Sequence, residues 1–152
     1  MKILDVLHPE AILTDLRSTD KIGVIRELAT PLAATTGIDR EALVRVLMDR
    51  ERLGSTGIGG GIGIPHGKLK RVDNLIIGFG LSRKGLDFES MDAKPTHIFF
   101  VLITPENSTG LHLKALARIS RILKNDMFKQ KLINCTTPDD VIRVISEEDE
   151  AF

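Results

Sequence analysis

The sequence predicts one α/β domain, a sandwich of helices around a small sheet. Three observations favour this fold class: helical apolar spacing in several capped segments, two near-continuous apolar runs of strand length, and no repeat, low-complexity tract or linker. At 152 residues, the chain is long enough to bury roughly 70% of the surface that its unfolded form exposes. We therefore expect a single domain over residues 1–152, with no disulfide or metal needed to hold it together.

Two helices are predicted in the first third of the chain, after a short N-terminal apolar segment. Residues 18–20 can cap a helix that contains Pro31, which should kink or interrupt it, and that ends at Gly37. A second helix, over residues 39–53, begins at a capping aspartate, and Gly54 ends it.

A glycine-rich segment and two strands follow. Residues 54–68, GSTGIGGGIGIPHGK, contain too much glycine for a helix interior and are too long for a simple turn, so they predict a shaped loop or a short strand flanked by one. The apolar runs at 74–81 and 97–104 predict strands that are covered on both faces. Residues 82–95 between them predict a connection that contains at most a short strand.

The last third of the chain predicts two helices. Apolar residues recur at helical spacing over residues 109–125. Residues 137–140, TPDD, offer a cap, a proline at the first helical position and acidic residues in the first turn, which together predict the start of a final helix. The tail after Glu147 is expected to fray.

Composition argues against several classes of function. The 21 basic and 21 acidic residues cancel, whereas a nucleic-acid-binding protein usually has a basic excess. The single cysteine, Cys135, excludes an internal disulfide framework and a thiolate zinc cluster. The N-terminus lacks the pattern of a signal peptide, and no apolar run reaches membrane-spanning length. We expect a cytoplasmic protein that neither inserts into membranes nor binds nucleic acid, a metal or a cofactor.

His66, at the end of the glycine-rich segment, is a candidate nucleophile. Pro65 before it has no N–H donor and Gly67 after it has no Cβ, so one face of the imidazole is left open. A neutral imidazole nitrogen can accept a phosphoryl group at cytoplasmic pH. Gly67 and the hydroxyl groups of Ser55 and Thr56 are candidate phosphate-binding groups. From this segment alone, a tight turn with His66 as an ordinary surface residue explains the pattern equally well.

Two further candidates come from helical geometry. At about 100° per residue, His112 lies on the apolar face of its helix, between Ile119 and Leu123. Arg50 lies beside Leu43 in the same way, so both side chains are predicted to point inward. A core histidine and an arginine that reaches back to water are the commoner explanations for such residues. A phosphate at the site would however suit both, because a guanidinium matches phosphate geometry and an imidazole can donate to a phosphoryl oxygen.

The sequence leaves three other classes of protein as alternatives. A nucleotide-binding enzyme is disfavoured, because neither GxxxxGK[ST] nor GxGxxG fits the glycine-rich segment in any register. A metal-dependent hydrolase would have to use His66 and His112, which are far apart in sequence and have no identified acidic co-ligand. A pure interaction module, which never acquires phosphate, is the third alternative.

Residues 50–69, RERLGSTGIGGGIGIPHGKL, resemble the active-site signature of enzyme IIA proteins of the fructose, mannitol and nitrogen-regulatory branch of the bacterial phosphotransferase system. The likeness continues through residues 3–21 and 103–123, so it covers nearly the whole chain. The GSTGIG and PHGKL sequences and the free-standing single domain are most similar to the nitrogen-regulatory type. The chain departs from the family pattern at Gly63, where members commonly have alanine.

The resemblance implies a fold, a function and a set of site residues. The fold would be a mixed-sheet α/β sandwich with flanking helices. His66 would accept a phosphoryl group from an HPr-type phosphohistidine protein, and Arg50 and His112 would support that group without a metal. The protein would be a phosphotransferase component that passes the group on or uses it as a regulatory switch. The alternatives are a sugar-transport IIA that donates to a IIB protein, and a non-catalytic interaction module.

Overall fold

The computed structural model describes residues 2–151 of the chain. Within them the backbone forms a six-stranded sheet and five α-helices. After a 3-10 turn at Ile3–Asp5, the elements in chain order are β1 (Leu7–Leu13), α1 (Lys21–Thr36), α2 (Arg40–Arg52), β2 (Gly57–Gly59), β3 (Ile62–Gly63), β4 (His66–Leu69), β5 (Ile76–Leu86), β6 (Thr96–Pro105), α3 (Thr109–Ile122), α4 (Asp126–Ile133) and α5 (Pro138–Ala151).

The sheet is mixed, as the resemblance implies. Its strand order is β1-β5-β6-β3-β2, and β4 also pairs with β6. β5 and β6 are antiparallel, whereas β3 and β4 both run parallel to β6 along one edge of it. In that register Ile62 lies opposite Ile98 and His66 lies opposite Leu102. The glycine-rich segment thus forms three short strands, two of which extend the sheet beside its central strand.

The two central strands are buried on both faces, which confirms the prediction from their continuous apolar runs. Because successive side chains of a strand point to opposite faces, Phe100 packs with Phe79 on one side of the sheet and Phe99 packs with Phe88 on the other. The first side is covered by residues of α3, α4 and α5, and the second by residues of α1 and α2. The predicted α/β sandwich is confirmed.

Pro31 does not interrupt α1, contrary to one of the two expectations from the sequence. The helix continues to Thr36 and ends at Gly37, which has the left-handed conformation expected of a helix-ending glycine. Leu28 and Leu32, on either side of the proline, are buried against the sheet. This packing offsets the cost of a proline in a helix interior, which is about 3 kcal/mol.

Several elements differ from their predicted bounds. The N-terminal apolar segment is a strand, β1, and β5 extends through the predicted connection as far as Leu86. The helix predicted over 109–125 ends at Ile122. The Asn125 side chain accepts hydrogen bonds from the first turn of α4, a helix whose bounds were not predicted from the sequence. None of the described helices is both long and apolar enough to cross a membrane.

The tail after Glu147 does not fray as predicted, since α5 continues to Ala151. Asp149 in this segment is buried, and its carboxylate accepts hydrogen bonds from the backbone N–H groups of Ile3 and Leu4 at 3.2 and 3.1 Å. Arg118 of α3 donates to the same carboxylate at 3.1 Å. These contacts hold the end of α5 against the beginning of the chain.

Candidate active site

The strand β4 carries His66, which is half-buried at the edge of the sheet. Its Nδ1 lies 2.7 Å from the carbonyl oxygen of Ile64. A carbonyl oxygen only accepts hydrogen bonds, so Nδ1 carries the proton and donates it. The lone pair of the neutral ring is therefore on Nε2, which is the nucleophilic nitrogen.

Gly67 brings β4 close to α2. A Cβ at this position would lie 2.2 Å from Cγ1 of Val46, so that a side chain here would require the valine or the strand to move. The next turn of α2 carries Arg50. The glycine therefore has a packing role that the sequence analysis did not predict, in addition to the phosphate-binding role expected there.

His112 of α3 points inward as predicted and is only 7% exposed. Its ring centroid lies 5.0 Å from that of His66, with the ring planes tilted by 57°. Its Nδ1 lies 2.7 Å from the hydroxyl oxygen of Thr104, near the end of β6. The structure thus brings together two imidazoles that are 46 residues apart in sequence.

Both histidines favour the neutral state. Burial lowers the pKa of His66 below its usual value, with a smaller contribution from the positive charge of Arg50. Burial, His66 and the charges of Lys68 and Arg50 lower the pKa of His112 to about 4. At neutral pH the site therefore offers an uncharged nucleophile beside an uncharged imidazole.

Arg50 lies in the last turn of α2, where it is half-buried and not inside the core. Its Nη1 donates to the carbonyl oxygen of Gly54 at 2.9 Å, which holds the first residue of the glycine-rich segment. Because its charge lowers the pKa of both histidines, the guanidinium lies within electrostatic reach of each ring. It supplies a positive charge within electrostatic reach of the nucleophile.

The hydroxyl groups of Ser55 and Thr56 have other partners than those predicted. Ser55 Oγ donates to the carbonyl oxygen of Phe88 at 2.8 Å, and the buried Thr56 Oγ1 donates to the carboxylate of Glu51. A hydroxyl group has one proton to donate. In this structure both protons are directed at protein acceptors, and the part of Ser55 and Thr56 in phosphate binding stays a prediction.

Glu51 is a residue that the sequence analysis missed. Its buried carboxylate also accepts from the backbone N–H of Thr56 at 3.1 Å and pairs with Lys21 of α1 at 3.1 Å. It thereby fastens the start of the glycine-rich segment to α1 and α2. The signal was present, because Glu51 follows Leu43 and Leu47 at intervals of four residues on the buried face of α2.

The arrangement suits nucleophilic transfer of an anionic group. It combines an Nε2 lone pair on His66, a second imidazole in ring contact, and the guanidinium of Arg50. Within the described part of the chain, no three His, Cys, Asp or Glu side chains lie close enough together to hold a metal ion.

Two proteins with similar sequences match most or nearly all of this chain. The chain is 42% identical to a nitrogen regulatory protein of Bradyrhizobium diazoefficiens over 132 residues, which are 87% of this chain and 86% of that protein. It is 36% identical to the fructose-specific EIIABC component of the Bacillus subtilis phosphotransferase system over 151 residues, which are 99% of this chain but only 24% of that longer protein.

A solved structure and a family model also match this chain. The crystal structure of nitrogen regulatory protein IIA-Ntr from Neisseria meningitidis superimposes with a TM-score of 0.87 at 28% identity, covering 93% of this chain and 97% of that one. The model of the family described as "Phosphoenolpyruvate-dependent sugar phosphotransferase system, EIIA 2" matches residues 5–148. The chain therefore belongs to the EIIA 2 family of the phosphoenolpyruvate-dependent sugar phosphotransferase system.

Proposed function

We propose that this protein is a phosphoryl carrier that accepts a phosphoryl group on Nε2 of His66 from an HPr-type phosphohistidine protein. The observation that carries the proposal is the hydrogen bond from His66 Nδ1 to the Ile64 carbonyl at 2.7 Å. This bond orients the ring and leaves the lone pair on the nitrogen that must attack. The family, whose description names phosphoryl transfer from phosphoenolpyruvate, supports the same chemistry.

The transfer balances without a proton acceptor. The Nε2 lone pair forms the new N–P bond while the N–P bond of the donor histidine breaks and its electron pair returns to the donor nitrogen. His66 keeps its Nδ1 proton throughout. The phosphorylated ring develops a positive charge. This makes Nδ1–H a stronger donor to the Ile64 carbonyl oxygen and strengthens that hydrogen bond.

Arg50 and His112 support the phosphoryl group in this proposal. The guanidinium of Arg50 offers several N–H donors and a permanent charge to the phosphoryl oxygens. His112 lies in ring contact with His66 and can donate one hydrogen bond to the same oxygens. Gly67 contributes through the close backbone approach of β4, and the phosphate-binding part predicted for Ser55 and Thr56 requires their hydroxyl groups to turn away from their present acceptors.

Exposed apolar side chains that are close to these residues in the sequence suit docking of a partner protein. Leu113, next to His112, is 60% exposed, and Leu53, three residues after Arg50, is 84% exposed. The centres of protein interfaces are more apolar than the rest of the protein surface. We propose that an HPr-type carrier binds here in the cytoplasm and that the downstream partner uses the same surface.

The downstream step is proposed to be regulatory. The 42% identical relative is named a nitrogen regulatory protein, and so is the protein of the superimposed Neisseria structure. Phosphorylation adds negative charge to the docking surface, which favours one partner over another. The alternative is sugar transport through a IIB protein, which the fructose-specific B. subtilis relative supports.

The test is phosphorylation by purified enzyme I, phosphoenolpyruvate and an HPr-type carrier, followed by intact mass. Wild type should gain one acid-labile phosphate, His66→Ala should gain none, and His8→Ala on β1 serves as the matched histidine control. A wild-type protein that gains no phosphate although the carrier is phosphorylated would refute the proposal. Transfer from the phosphorylated protein to a fructose IIB protein would favour transport over regulation.

A further inference from the structure

Thr104 is buried in the wall of the site and is not explained by the fold. It lies in β6 opposite Lys68 of β4, two residues beyond the pair formed by His66 and Leu102. Alternate residues of a strand share a face, so His66 and Thr104 both lie on the side of the sheet that α3 covers. Thr104 is fully buried, and its hydroxyl oxygen lies 2.7 Å from His112 Nδ1.

The direction of this hydrogen bond follows from counting protons. Thr104 Oγ1 has no other hydrogen-bond partner among the described residues. If His112 Nδ1 carried the proton, it would donate to the hydroxyl oxygen, and the hydroxyl proton would be buried with no acceptor. If Thr104 donates instead, both groups are satisfied. The hydroxyl therefore donates, and Nδ1 of His112 is unprotonated.

The other nitrogen of His112 is then determined. A neutral imidazole has one proton, so it must be on Nε2. A charged ring would carry protons on both nitrogens, but burial and the charges of Lys68 and Arg50 oppose that state. No hydrogen bond within residues 2–149 reaches His112 Nε2, which leaves this N–H available to a group on the neighbouring His66.

We propose that Thr104 is a positioning residue that holds His112 in its Nε2–H tautomer, so that a phosphoryl group on His66 meets an N–H donor. This inference rests on the proposed function. In the opposite tautomer His112 would direct a lone pair at the negatively charged phosphoryl oxygens and repel them. Thr104 thus acts through His112 and does not touch the transferred group.

The first test reads the tautomer directly and needs no phosphoryl transfer. Long-range ¹H–¹⁵N NMR of the labelled, unphosphorylated full chain at neutral pH distinguishes the protonated from the unprotonated ring nitrogen. Wild type and Thr104→Ser should show His112 protonated on Nε2. Thr104→Val should show an exchange-averaged mixture of tautomers. A proton on Nδ1 in the wild type would overturn the proposal, whether or not the variants fold.

The second test measures the rate of phosphoryl transfer from a charged HPr-type carrier. Thr104→Val should be slower by about 10-fold, which is less than the loss expected for removing a donor itself, and Thr104→Ser should restore the rate. Thr104→Ala serves as the second variant, with thermal unfolding as the control for folding. Wild-type rates in both Val and Ala variants would overturn the positioning role. A wild type that accepts no phosphate but has the expected tautomer would instead refute the proposed function.

Discussion

The neutral state of a single buried residue, His112, has a consequence for stability. Its pKa is lowered from 6.5 to about 4 in the folded protein, so the unfolded chain takes up a proton between these values while the folded chain does not. The free energy of unfolding should therefore fall as the pH is lowered through this range. Below about pH 4, His112 is protonated in both states and should cause no further change. Urea unfolding of wild type and His112→Asn across the range measures the effect.

The variant is the control for the other titrating groups of the chain. Asparagine has no proton to take up, so His112→Asn should lose less stability on acidification than the wild type. Stability curves of the two proteins that stay parallel from neutral pH to about 4 would contradict a buried neutral His112.

The guanidinium of Arg50 has a shape that an ammonium group lacks. Arg50→Lys keeps the charge but loses the planar fork, and it weakens the contact to the Gly54 carbonyl. Phosphoryl transfer from the HPr-type carrier should slow by about 10-fold, which corresponds to about 1.4 kcal/mol of transition-state stabilisation. Rapid-quench kinetics measure the rate. Arg52→Lys, on the exposed side of the same helix turn, is the matched control. Equal rates in the two variants would contradict the proposed support of the phosphoryl group by Arg50.

At the scale of elements, the contact between β4 and α2 sets the position of His66. Gly67→Ala places a methyl group 2.2 Å from Val46 Cγ1, so either the valine or the strand must move. Overpacking of this kind costs about 1–3 kcal/mol. We expect loss of stability in urea unfolding together with slower phosphoryl acceptance, because β4 carries the nucleophile.

A second substitution separates crowding from other effects of the added methyl group. In Gly67→Ala with Val46→Ala, the space released by the valine accommodates the new Cβ, so stability and transfer rate should recover relative to Gly67→Ala alone. Effects of the two substitutions that simply add would show that this contact is not what positions β4.

At the scale of the whole molecule, Asp149 joins the two ends of the described chain. Asp149→Asn removes a buried negative charge that accepts from Ile3 N–H, Leu4 N–H and Arg118. Hydrogen bonds to charged groups contribute about 1.5–3 kcal/mol, so we expect a loss of about 2 kcal/mol in the free energy of unfolding. Urea unfolding measures it.

The matched control lies two residues earlier on the same helix. Glu147 is exposed, and its carboxylate pairs with Lys131 at 3.8 Å, so Glu147→Gln should change stability by less than about 0.5 kcal/mol. Phosphoryl acceptance per folded molecule should be unchanged in both variants. If Asp149→Asn changes the free energy of unfolding no more than Glu147→Gln does, the contacts of Asp149 with Ile3, Leu4 and Arg118 contribute nothing to stability.

Much of the fold was predictable from local signals. Capping residues and glycines gave the starts and ends of α1 and α2, and the two long apolar runs predicted β5 and β6 with both faces buried. The predictions that Pro31 interrupts α1 and that the tail after Glu147 frays were wrong. In both cases tertiary contacts, absent from any local pattern, outweighed the local preference.

The sequence by itself determined which residues are candidates for chemistry: His66 by its Pro-His-Gly neighbours and the family signature, and His112 and Arg50 by their helical faces. Only the tertiary structure decided that the two imidazoles touch, that Ser55 and Thr56 have their hydroxyl protons committed elsewhere, and that Thr104 faces His112. The physical reason is that composition and periodicity specify which face a side chain occupies, whereas hydrogen-bond partners depend on strands and helices that are distant in the chain.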